Sequence, residues 1–317
     1  MYSFTKISAF LLCFTLTACS DGPTNVIPLA KQGLLSGAIS NTRDTAVIGS
    51  IHHGGSFWDL KKKERLFNWN HESGKMSAIR AVAISKDGTR AVTCVEDSLV
   101  LWDTTSGEYK QFWQADDRIL SIALNSKGNT ALMGLRDGTV SYFDLDKGQT
   151  LYNFKHLAEV RKVSISKDGK IGISAGDDKS VKVYDLESGI EIHTKMLSNQ
   201  IKTVAISDSG SLVFATAQRE DSIIWDIEQD KIIYKKHNRV TNYTSADFSD
   251  NEQQLSLGSF TGEIVKLDIK TGKIIKKWQA KPRQAYGSAA SKSILDLVDN
   301  AQTVYALTSD GMFETFK

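Results

Sequence analysis

The stretch "HLAEVRKVSISKDGKIGISAGDDKSVKVYDLESG", His156 to Gly189, decides the fold. Val160 to Ser166 is apolar at alternate sites, as a buried inner strand requires. "KDG" at 167–169 is turn chemistry, with glycine supplying a positive φ. Ile171 to Ala175 follows, then the turn "GDDK", then Val181 to Leu186. "ESG" turns again into Ile190 to Met196, polar enough to be outermost. Four short strands therefore fit in one unit. The unit recurs before, as "SAIRAVAISKDGTRAVTCVEDSLVLWDTTSG", and after, as "NQIKTVAISDSGSLVFATAQREDSIIWDIEQD". The acidic residue closing each unit is Asp59, Asp103, Asp144, Asp185, Asp226 and Asp268, at intervals of 44, 41, 41, 41 and 42. A seventh unit, "SILDLVDNAQTVYALTSDGMFETFK", brings Lys317 to the equivalent place. Four strands at this period select an all-β, seven-bladed β-propeller of antiparallel blades over a sandwich or a barrel.

These units resemble WD40 repeats. His156 stands where that family has its Gly-His histidine, "SISKDG" matches its Ser-Pro-Asp-Gly turn, and Tyr184-Asp185 takes the Trp-Asp place. The pair itself is present as Trp58-Asp59, Trp102-Asp103 and Trp225-Asp226. The resemblance implies a bracing network in each blade: histidine, hydroxyl, aspartate and tryptophan. Unit four offers His156, Ser174 and Asp178 with Tyr184 for the tryptophan; unit two offers Thr93 and Trp102 without a clear histidine. His71, His156 and His237 read as residues that each precede an inner strand. No unit carries the whole set, so packing between blades is expected to dominate.

The last unit ends at its third strand, and "NVIPLAK", Asn25 to Lys31, precedes the first inner strand without a unit of its own. It is expected to supply the missing outer strand of blade seven, removing an open edge. Pro28 suits such a place, because its missing N–H can face solvent. Residues 25–317 thus form the propeller.

Ahead of it, one lysine and a short apolar run lead to Leu16-Thr17-Ala18-Cys19. The layout is that of a secretory signal. Its end resembles the lipobox of bacterial lipoproteins. That resemblance implies removal of residues 1–18, acylation of Cys19, and a lipidated tether over 19–24. More than one acyl chain makes anchoring stable. Ser20 after the cysteine implies sorting to the inner leaflet of the outer membrane, facing the periplasm. Cys13 leaves with the signal, so Cys94 has no partner for an intrachain disulfide and reads as a small buried hydrophobe.

The net charge of +2 implies no nucleic-acid or acidic partner, and a single ring implies a monomer. Basic residues gather on outer strands, among them Lys61 and Lys62 in unit one and Lys273, Lys276 and Lys277 in unit six. They can orient the ring on an anionic surface or simply blunt strand edges.

No catalytic motif stands out, and no cofactor or metal is implied. Adjacent His52 and His53 point opposite ways and make poor joint ligands. "LDIKTGKIIKKW", Leu267 to Trp278, resembles the docking motif of quinoprotein propellers, and reads as a turn followed by a packed aromatic. The expected function is a non-catalytic scaffold for an envelope protein or peptide. Partner-contacting residues are expected in loops that depart from the regular unit: Asp116 and Arg118, Arg219 and Glu220, Gln284 and Tyr286. Two alternatives remain open: a hydrolase, lyase or lactonase with its site at the central channel, and an envelope-protein assembly factor.

Overall fold

A computed structural model describes residues 21–71, 77–237, 239–281, 283 and 292–317. Cys19, Gln284 and Tyr286 lie outside them. Among the described residues, seven four-stranded antiparallel sheets follow one another along the chain. Blade four runs Val160–Ile165, Ile171–Gly176, Ser180–Asp185 and Ile190–Met196, within a residue of each boundary read from the sequence. Inner strands of consecutive blades pack side by side, and the first and last blades also meet, which closes a ring. We call the face that carries the connections between blades and the second-to-third-strand turns the upper face. The other two turns of each blade form the lower face.

Closure follows the expected route. Asn25–Pro28 pairs antiparallel with Met312–Phe316, so the fourth strand of blade seven comes from the start of the ring. Ile27, Leu29 and Phe313 share one core cluster with Leu34, Ile39 and Ile48 of blade one. The Arg283 guanidinium donates to the carbonyls of Ala30 (2.8 Å) and Lys31 (2.7 Å). Between blades six and seven, buried Lys266 pairs with buried Asp299 at 2.8 Å. Asp299 also accepts from the Ser256 hydroxyl at 2.6 Å, so the ion pair is well satisfied, as burial of charge demands.

Aromatic residues clasp blade to blade. Trp69, Trp113, Phe154 and Trp278 hold one position in their outer strands. Each meets the third-strand aromatic of the next blade: Trp102 at 5.0 Å, Phe143 at 5.6 Å, Tyr184 at 4.0 Å and Phe316 at 6.1 Å between ring centroids. Trp69 is fully buried and donates its indole N–H to the Gly107 carbonyl at 3.0 Å. In the stretch ending at Trp278, Thr271 donates both its N–H and its hydroxyl to Asp268, each at 2.7 Å, so this stretch is an Asx turn plus a packed indole.

The bracing network is more complete than the sequence indicated. In blade four, His156 Nε2 lies 2.6 Å from Ser174 Oγ, which lies 2.7 Å from the Tyr184 hydroxyl. His156 Nδ1 lies 3.0 Å from Asp178. Blade two holds the same arrangement, because His71 reaches Thr93 Oγ1 at 3.0 Å and Trp102 donates to that oxygen at 2.8 Å. His71, read from sequence only as preceding an inner strand, belongs to this network although a longer connection separates it from that strand, which begins at Ala81. Ser98 takes the place of the aspartate. His237 instead ends the outer strand of blade five and reaches Asp221 at 3.1 Å. Burial holds the imidazoles of His71 and His156 below the ordinary histidine pKa; the Thr93 carbonyl and Asp178, respectively, pull the other way. Burial also opposes ionisation of Asp178, yet donors from Ser180, Leu157 and His156 hold its pKa at about 2.

Two outcomes follow. Trp69→Ala should cost about 3–5 kcal/mol in urea unfolding, as for other buried tryptophans. His156→Ala should cost about 1–3 kcal/mol, by leaving Asp178 and Ser174 short of a partner. Because the His156 pKa is lowered on folding, the wild-type contribution is present above the ordinary imidazole range and is lost as pH falls through it. Unfolding curves at pH 5 and 8 check both; equal destabilisation at the two pH values would refute the charge-state assignment.

Candidate functional site

A propeller offers a channel along its axis and two loop-decorated faces. Here the channel is a cavity of about 230 Å³ walled by residues from all seven inner strands, from Ala38 in blade one to Leu297 in blade seven. A second cavity of about 250 Å³ opens toward Arg80, Thr244 and Ser293 at the upper mouth. Most of the wall is aliphatic. Hydroxyl groups sew its strands together: Ser36 donates to the Ile79 carbonyl at 2.9 Å, and Thr203 to that of Tyr243 at 2.9 Å. Ser121 accepts from the N–H of Val163 at 3.2 Å.

Three blades depart from this rule, blade two with Ala81 and two others with a charge. Lys162 in blade four and Asp296 in blade seven hold the strand position that is Ser36, Ser121, Thr203 or Ser245 elsewhere. Asp296 keeps the sewing role, accepting the N–H of Ile39 in blade one at 2.8 Å. Asp247 of blade six likewise accepts the N–H of Asp299 at 2.9 Å. The Lys162 ammonium lines the channel without a hydrogen bond or ion pair of its own among the described residues. All three side chains keep partial access to channel water although protein surrounds them. Enclosure lowers the Lys162 pKa, and the Asp296 charge partly offsets it. Enclosure raises Asp296 to about 6, against the Ile39 N–H and Lys162, and holds Asp247 well above the carboxylate range.

Across the lower mouth, Lys86 of blade two pairs with Asp208 of blade five, and Lys167 reaches the same carboxylate at 3.3 Å. The first turns of the blades are also tied in sequence: Asp87 N–H to Ser126, Ser126 to Lys167, and Lys167 N–H to Asp208. The lower end of the channel is therefore strapped. Among the described residues, no group of three or more His, Cys, Asp or Glu side chains could hold a metal ion.

The upper face carries an arc of alternating charge. Glu96 pairs with Arg80 at 3.9 Å and with Arg118. Asp117 pairs with Arg136 at 2.8 Å, and Arg161 bridges Glu159 and Asp177, each at 2.7 Å. Lys202 extends the arc into blade five, 3.8 Å from Asp177. Among the residues singled out from sequence, Asp116 and Arg118 lie on this arc and Arg219 and Glu220 lie on the next upper-face turn. Gln284 and Tyr286 lie outside the described residues. The sequence reading missed Arg80, Arg136, Arg161 and the channel charges. Lys162 and Asp296 had a legible signal, since a charge replaces a hydroxyl at one repeat position.

The family model for the WD domain, G-beta repeat (WD40), matches residues 148–185, which span the end of blade three and most of blade four. No curated protein matches the chain.

Asp296 gives a pH test. Its pKa is raised on folding, so the folded state binds more protons between about pH 4 and 6. Relative to Asp296→Asn, the wild type should therefore gain stability as pH falls from 7 to 4. A flat difference between the two melting temperatures over that range would refute the enclosed, ionisable assignment.

Proposed function

We propose that this chain is a membrane-tethered, non-catalytic scaffold that docks an envelope protein or peptide on its upper face. The observation that carries the reading is the charged arc from Arg80 to Lys202, set around the upper mouth of a rigid ring. Exposed pairs of this kind contribute only about 0–1 kcal/mol each to folding. Their directional fit is better suited to steering and registering a partner of complementary pattern. The repeat resemblance favours the same class, since WD40-like rings serve widely as interaction platforms, although fold alone does not fix function.

The tether reading rests on Leu16-Thr17-Ala18-Cys19, with acylation at Cys19 and residence on the inner leaflet of the outer membrane, facing the periplasm. Asp21, the first described residue, already touches the ring through its carbonyl, which accepts the Gln279 N–H at 3.1 Å, two positions after Cys19 in the sequence. In that setting the ring hangs against the bilayer and its face meets partners within a short radius.

Crosslinking in intact cells tests both parts. Wild-type chain should carry the mass of an acylated residue 19 and should capture a defined partner. Arg118→Glu with Arg136→Glu, at exposed positions, should lose that partner while keeping the melting temperature within about 2 °C, as surface substitutions usually do. Undiminished capture by the double variant would overturn the docking face; an unmodified Cys19 would overturn the tether.

A further inference from the structure

The outer strands of blades one to six share an irregularity. In each, one residue is skipped in the pairing with the third strand: Leu66, Lys110, Leu151, Ile192, Ile233 and Ile275. A bulge of this kind leaves the extra residue unpaired and turns the edge away from further strand addition. That explains the bulge but not the side chain, because a polar residue would blunt an edge at least as well. Apolar residues instead hold the position in five of the six blades.

Blades five and six carry the pattern furthest. Their outer strands read "KIIYKK", Lys231 to Lys236, and "KIIKKW", Lys273 to Trp278. In both, the bulged isoleucine follows a second exposed one: Ile232, Ile233, Ile274 and Ile275 are 40–49% exposed. Lysines flank them. Lys235 and Lys277 are tied to Asp221 (2.8 Å) and Glu263 (3.0 Å) on the adjoining strands. Among the described residues Lys231, Lys236 and Lys273 make no ion pair, so this edge has a net positive field. The other basic outer segment differs: in blade one, Lys61 pairs with Asp44 at 2.7 Å, and Lys62 lies 3.8 Å from Asp59 and 3.7 Å from Glu64.

The chain also joins the ring at this edge. Asp21 bridges to Trp278 on the outer strand of blade six, and its carboxylate lies 3.2 Å from Lys276. Asp21, the first described residue, therefore lies against the same outer strand that carries Ile274 and Ile275. Short aliphatic side chains on a convex edge, interleaved with unpaired ammonium groups, match the boundary of an anionic bilayer, where the aliphatics enter shallowly and the lysines meet phosphates.

We propose that the outer edge of blades five and six is a docking surface for anionic phospholipid, with Ile233 and Ile275 inserting and Lys231, Lys236 and Lys273 pairing with headgroups. The surface deepens the tethered reading, yet it acts without the acyl chain. It fixes how the ring lies on the membrane, where a tether alone would leave it free to tumble.

The test is vesicle co-sedimentation of the full chain carrying Cys19→Ser, which removes the acylated atom from every sample. Binding to vesicles containing phosphatidylglycerol should exceed binding to pure phosphatidylcholine, and added salt should weaken it. Lys231→Gln, Lys236→Gln and Lys273→Gln together should lower partitioning about tenfold or more. Ile233→Ser with Ile275→Ser should lower it further, whereas Leu66→Ser with Leu151→Ser, at the equivalent bulges elsewhere on the ring, should leave it unchanged. The three lysine changes touch no ion pair, so they keep the test valid should the isoleucine changes perturb folding. Equal binding by the lysine variant and its parent, or equal loss from the Leu66 and Leu151 changes, would overturn the proposal. Loss of rim binding with Cys19 still acylated in cells would leave the tether intact, so the two readings fail separately.

Discussion

Ring closure rests on one short antiparallel pairing. Asn25, Val26, Ile27 and Pro28 face Thr315, Glu314, Phe313 and Met312, and this contact turns an open row of sheets into a ring. Without it the last blade would present a bare third-strand edge. Its consequences spread beyond blade seven. Seating Asn25–Pro28 draws Ile27 and Leu29 into the core shared with blade one, and brings the Asp296 carboxylate to the Ile39 N–H. That seam makes the channel a closed tube, and enclosure in that tube shifts the channel charges.

The same closure puts the start of the ring at a defined place. The strand that completes blade seven is preceded by Asp21 on blade six, so the start of the described chain lies on the strand that carries Ile274 and Ile275. In the proposed reading, anchor, orienting edge and upper face are then fixed relative to one another by a rigid body. A scaffold benefits from such rigidity, since a partner meeting a preorganised surface loses less entropy on docking. The two ends of the channel also differ. Lys86 and Asp208 strap the lower mouth, while the upper mouth lies among the charged side chains that we assign to docking.

Between blades, aromatic clasps and histidine networks divide the work. The clasps Trp69–Trp102 and Phe154–Tyr184 bury large area where two sheets diverge toward the rim. The networks at His71 and His156 satisfy polar groups that burial would otherwise leave costly. Blade five replaces the network differently: the Trp225 indole donates to Asp230 at 3.1 Å, and Lys195 lies over its ring at 4.9 Å. Repeats of one design thus tolerate several ways of holding a tryptophan.

Much of the fold was legible in sequence because its determinants are local. Alternation from Val160 to Ser166, glycine at 169 with a φ of 78°, and the aspartate that closes each unit are requirements of strands and turns. A period near 41 residues then leaves a ring of similar blades as the economical solution, and an orphan strand at Asn25 completes it. The site was less legible, because its residues meet only across the closed ring. Lys86 and Asp208 lie 122 positions apart, and Ile39 and Asp296 lie 257 apart. No local pattern records that Lys162 would face Asp296, that His71 would reach Thr93, or that Lys61 and Lys62 would meet carboxylates while Lys231, Lys236 and Lys273 meet none among the described residues. Strand and turn identity follow from backbone geometry over a few residues; which charges meet, and which face water unpaired, follows from the distance between blades, and only the folded ring sets that distance.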